Sequence, residues 1–123
     1  MKKEDKQLLL KYLCAAFPYN VIIEYNNDGC SSTREMGFGS LHDFVYDNAE
    51  LKPYLRPMSS MTGSEMLEYL SLEESIVAAD DITYYFETYE SIDWLLKNHF
   101  DFRNLIDKGL AIEVTESNNP YKE

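Results

Sequence analysis

The chain has 123 residues, 45% of them hydrophobic, with a formal charge of −11. It can bury a core as one domain and is not a generically disordered polymer. Its charge is localised: residues 57–96 hold no lysine or arginine and nine acids, Glu65, Glu68, Glu73, Glu74, Asp80, Asp81, Glu87, Glu90 and Asp93, while the other 83 residues are nearly balanced. A one-signed field of this kind steers partners and argues against direct nucleic-acid binding at this face.

Taken in chain order, Leu8, Leu9, Tyr12, Leu13 and Ala16 mark one face of a helix over residues 3–16, which Pro18 stops. The charged start leads only into the short apolar run 8–10, too brief for a secretion signal or a membrane span. The expectation is a cytoplasmic protein with reduced thiols and no membrane attachment. Cys14 lies among apolar helix residues and is expected to be buried. It shares no cluster with Cys30 or a histidine, so neither a zinc site nor any other cofactor is suggested.

Residues 21–25 are β-branched and aromatic and predict a strand, and the turn-forming run 26–29 returns the chain through a second strand over 32–38. Residues 41–45 are ambiguous. Pro53 and Pro57 bracket an extended segment, read as an edge strand or polyproline-like stretch. Thr62-Gly63-Ser64-Glu65 fits a capping box opening a helix to about residue 78, with a break near Ser71. Residues 82–86 fit either a strand or a helix, and Tyr84-Tyr85-Phe86 is a candidate sticky patch for self-association. Tyr89, Ile92, Leu95, Leu96 and Phe100 follow a 3.6-residue period. Asp101 is placed to cap a turn over 102–108, closed by Gly109 in a left-handed conformation. Residues 111–114 read as a last strand. The order implies a single α+β domain over 1–116, a small, mostly antiparallel sheet with helices packed on one face, followed by a polar tail, 117–123, expected to fray.

Three groups could carry function. Lys52, Tyr54 and Arg56 alternate along the Pro53/Pro57 segment, so a strand would set them on one face. They could form a binding strip or dock against the acidic segment of the same chain; internal docking is the simpler reading. His99, Asp101 and Arg103 could do acid–base work. The plainer reading makes Asp101 a cap, sets His99 at a helix end where positive charge is favoured, and leaves Arg103 solvated. Glu65, Glu68, Glu73 and Glu74 form an acidic helix face. The paired acids lack the turn-glycine loop that a divalent cation needs, and no phosphate loop or nucleophile elbow is present.

Two segments resemble a known pattern. The run 16–21, Ala-Phe-Pro-Tyr-Asn-Val, and the run 52–62, Lys-Pro-Tyr-Leu-Arg-Pro-Met-Ser-Ser-Met-Thr, are similar to an uncharacterised family of short proteins from Bacteroides-type bacteria and their phages or prophages. Residues 92–95 and 99–111 resemble the C-terminal signature of the same group. Asn20 stands where that pattern has glycine after Pro-Tyr, and asparagine still tolerates a left-handed backbone. Asn104 stands where it has a small residue. The resemblance implies a phage or prophage accessory protein and no particular activity.

The leading expectation is therefore a non-enzymatic, acidic protein-interaction module of phage or prophage origin with an unidentified protein partner. The alternatives are a nucleic-acid mimic that inhibits a host DNA-binding protein, and a small-ligand binder or enzyme using His99, Asp101 and Arg103.

Overall fold

A computed structural model describes residues 2–27, 29–77 and 89–121, with the backbone alone at 72–77, 89 and 90. The first apolar face forms α1 (Lys3–Ala16), which buries Leu9, Tyr12, Leu13 and Ala16 and sets Glu4 and Asp5 in its first turn, where the helix dipole favours acids. Cys14 is exposed rather than buried. One residue past Leu13 it has rotated off the stripe that faces the core. A 3₁₀ turn, Phe17–Tyr19, ends at Asn20 with φ 56° and ψ 48°, the left-handed conformation that asparagine tolerates.

Strands β1 (Ile22–Asn27) and β2 (Cys30–Glu35) form an antiparallel hairpin running from Ile22↔Glu35 to Asn27↔Cys30, with Gly29 at φ +82° in its turn. The second strand ends before residue 38. Gly37, with no side chain to pack into a ladder, precedes α2 (Phe38–Tyr46), which absorbs the ambiguous stretch 41–45 and buries Phe44 and Ser40.

Strand β3 (Glu50–Pro57) pairs antiparallel with β1, from Ile23↔Pro53 to Asn26↔Glu50. It also pairs in parallel with β4 (Phe100–Asp101) and with β5 (Ile112–Glu113). The sheet order is β2-β1-β3-β4, with β5 also on β3. The segment read as an edge strand is thus interior. Its prolines are tolerated because Pro53 is the last residue that β1 pairs and Pro57 is the last of the strand, where a missing donor costs least.

Helix α3 (Gly63–Val77) runs without a break through Ser71. Helix α4 (Tyr89–Lys97) stops before Phe100, because His99 takes φ +61° and turns the chain into β4. The expectations for residues 82–86, including the Tyr84-Tyr85-Phe86 patch, lie outside the described residues. Leu9 and Leu13 from α1, Phe44 from α2 and Leu96 from α4 pack with Ile23 and Tyr25 of β1 and Leu51 and Leu55 of β3 in one core. The fold is α+β with a mostly antiparallel sheet, as the element order implied. Gly109 closes the 102–108 turn at φ +73°. No described helix is long and apolar enough to cross a membrane.

Candidate functional site

Helix α3 is attached to the sheet by its inward side. Thr62 and Glu65 form the capping box: Glu65 N–H donates to Thr62 Oγ1 at 3.2 Å, and Thr62 N–H donates to Glu65 Oε1 at 2.9 Å. The same carboxylate receives both terminal nitrogens of Arg56, at 2.6 and 2.7 Å, in a bidentate pair. Those Arg56 bonds, helped by Thr62, pull the Glu65 carboxyl down to about 2. Above the guanidinium, 4.2 Å away, lies the Phe100 ring. Phe100 stacks on Trp94 of α4, and Trp94 meets Tyr69 of α3 at 5.7 Å. Glu65 and Tyr69, one helical turn apart, therefore both fasten α3.

Arg56 is thereby engaged internally, and so is Tyr54: it is buried, and its hydroxyl donates to Glu24 Oε2 at 3.1 Å. Lys52, on the same side of the strand, is exposed. The strip has the alternation expected of it, but two of its three side chains hold the fold together.

His99, Asp101 and Arg103 have separate partners. The buried Asp101 carboxylate accepts the backbone N–H of Leu105 at 2.8 Å and of Ile106 at 2.9 Å, which builds the following turn. Arg103 is exposed and lies 5.2 Å over the Phe102 ring. The His99 ring stacks on Tyr121, with centroids 3.8 Å apart and planes 9° apart. Its Nδ1 is buried and has no hydrogen-bond partner among the described residues. Burial, and then the Arg56 charge, push the imidazole down to about 4, so this position disfavours the positive charge expected at a helix end.

Tyr121 also overturns the expectation of a fraying tail. Its hydroxyl donates to the Tyr54 carbonyl at 2.8 Å and accepts the Ile22 N–H at 2.9 Å, bridging β1 and β3. Burial raises its pKa, partly opposed by the Ile22 amide. Sequence reading missed this contact because the tail is polar and its partners lie 99 and 67 residues away.

The outward side of α3 is different in kind. Met66, Leu67 and Leu70 are 44%, 71% and 43% exposed, and Glu68 is exposed beside them. Of the four acids read as one face, Glu65 is held by Arg56 and Glu68 is exposed; Glu73 and Glu74 follow in the same helix. Glu65 is therefore not available as a phosphate-like charge on a mimic.

Helix α2 presents a second exposed set. Phe38 and Tyr46 are largely exposed, and the His42 ring meets that of Tyr46 at 4.9 Å, tilted by 45°. One ligand atom each from His42, Asp43 and Asp47 lie within 4.8 Å of one another. Tyr25 already donates to Asp43 Oδ2 at 2.6 Å, which holds the Asp43 carboxyl below its usual range and raises Tyr25. The spacing i, i+1, i+5 matches no metal motif, so the sequence did not flag it. Exposed acids often gather without an ion. No protein family matches the chain, and no curated protein or solved structure is found to be similar to it.

Proposed function

We propose that the protein is a non-enzymatic protein-interaction module, of phage or prophage origin, that binds its partner through the outward side of α3. One observation carries this reading: Met66, Leu67 and Leu70 are exposed together on a helix that lies in the base-free acidic segment. Exposed apolar side chains clustered among acids are a common form of protein contact surface, since the apolar part supplies affinity and the charge selects the partner. Of the residues that first suggested chemistry, His99 and Asp101 are taken up by structural contacts and Arg103 lies exposed over Phe102, which further supports an interaction role over catalysis.

The test is affinity capture from lysate of Bacteroides-type cells, with wild type beside a Leu67→Ser/Leu70→Ser variant. A reproducible protein retained by wild type and lost from the variant is the expected result. No reproducible partner at low salt, or one captured equally by both proteins, would overturn the proposal.

A further inference from the structure

Past β5 the chain is hydrogen-bonded to the sheet at two places among the described residues. Val114 N–H donates to the Leu55 carbonyl at 2.8 Å, and further on Tyr121 bridges Ile22 and Tyr54. The bonds between these places stay within the segment: Asn118 N–H to the Thr115 carbonyl at 3.2 Å, and Tyr121 N–H to Asn119 Oδ1 at 3.0 Å. Lifting the segment after Val114 therefore breaks few bonds outside it, the mark of a local opening.

Tyr121 also covers one face of His99, ring against ring at 3.8 Å. A protonated imidazole carries a hydrogen on both nitrogens. While Tyr121 is in place, the one on Nδ1 would be buried with no acceptor among the described residues. No described group compensates. Arg56, facing the ring from β3, is itself a cation, and Glu65 of α3 is bound to it. Asp101 spends its two oxygens on the Leu105 and Ile106 amides. Tyr12 of α1 donates to the Phe100 carbonyl at 3.3 Å, and burial keeps both Tyr12 and Tyr121 from ionising.

We infer that His99 and Tyr121 form an acid-operated latch: a proton on His99 releases the segment after Val114 and uncovers the Ile22 N–H and the Tyr54 carbonyl, while the core stays folded. The covered ring takes its proton at about 4 and an uncovered one near the ordinary 6.5. The released state therefore binds the proton more readily, and the latch loosens as pH falls from about 6.5 toward 4.

The test is amide hydrogen exchange of the full chain by NMR, each rate divided by its intrinsic rate at that pH. Ile22 exchange is expected to rise about tenfold from about pH 7.5 to about pH 5. Ile22 should exchange at least about tenfold faster than Leu13, inside α1, at both pH values, because its opening is local. In His99→Asn the rise should vanish. Tyr121→Ala, shown to be folded by circular dichroism, should move the His99 imidazole titration from about 4 toward 6.5.

Ile22 exchange that is flat with pH overturns the inference, as does exchange no faster than that of Leu13, which belongs to global unfolding. A rise that persists in His99→Asn assigns the proton to another group and overturns it too. If His99→Asn is already open at neutral pH, Tyr121→Ala decides: a His99 titration unmoved by loss of the tyrosine ring overturns the latch.

Discussion

Glu65 and Glu68 lie three residues apart on α3, in the same acidic segment, and have opposite surroundings. Glu65 is clasped by Arg56 and Thr62, with Tyr69 one turn on packed toward Trp94. Glu68 is exposed next to Leu67. The inner seam continues past α3 through Arg56, Phe100, His99 and Tyr121, where nearly every polar group named above has a partner. The outer side carries apolar and acidic groups whose removal should leave the fold intact. Local charge density does not separate these two uses. What separates them is that Arg56 of β3 reaches Glu65.

The sharpest way to break this contrast is at Asp101. Replacement by alanine orphans two backbone amides, one of them buried, and should cost about 3 kcal/mol in denaturant unfolding, since bonds to charged groups are strong and unpaired buried donors are costly. Tyr121→Phe keeps the ring on His99 and removes the hydroxyl from the Ile22 amide and the Tyr54 carbonyl, for a loss of about 1 to 2 kcal/mol in the same measurement. Thr62→Ala removes one half of the capping box and should cost about 1 kcal/mol. Loss of Tyr121→Phe stability no larger than that of a surface change would mean that the tail is not part of the seam.

Acid sharpens the comparison further. The folded His99 value of about 4 lies below its ordinary 6.5. The unfolded chain therefore binds a proton that the folded chain refuses, and stability falls as pH drops from about 6.5 toward 4. Glu65, held at about 2 against an ordinary 4.5, contributes stability above about 4.5 that is lost as pH falls toward 2. Thermal melts of His99→Asn, whose side chain tolerates a left-handed backbone, should decline less between pH 6.5 and 4 than those of wild type. Glu65→Gln should flatten the decline below about pH 4.5. At the small end, Leu67→Ser should alter unfolding stability by no more than about 0.5 kcal/mol, because exposed positions away from packing are near neutral.

The parts of the fold that were legible in the sequence are those fixed by near neighbours. The capping box at Thr62 and Glu65, the turn held by Asp101 and closed by Gly109, and the core stripe of α1 are written within a few residues of one another. The parts that were not legible depend on distant partners. Two prolines made β3 read as an edge, and only the limits of its pairing with β1 show why an interior strand accepts them. His99 read as a helix-end cation, because nothing near it in sequence announces Tyr121. The candidate surface was half legible: its acids were plain, but that Leu67 and Leu70 are exposed could not be known until Glu65 and Tyr69 were seen to face the body of the protein.

The bridge made by Tyr121 has a consequence for how the chain is born. The Ile22 amide sits in β1, yet its acceptor is added 99 residues later. At about 5 to 20 residues per second, the growing chain spends roughly 5 to 20 s with that amide unanswered. The hairpin and its ladder with β3 can form in that interval, but the hydroxyl bridge from Ile22 to Tyr54 forms only after Tyr121 has been added. Completion of this part of the fold therefore waits on residue 121.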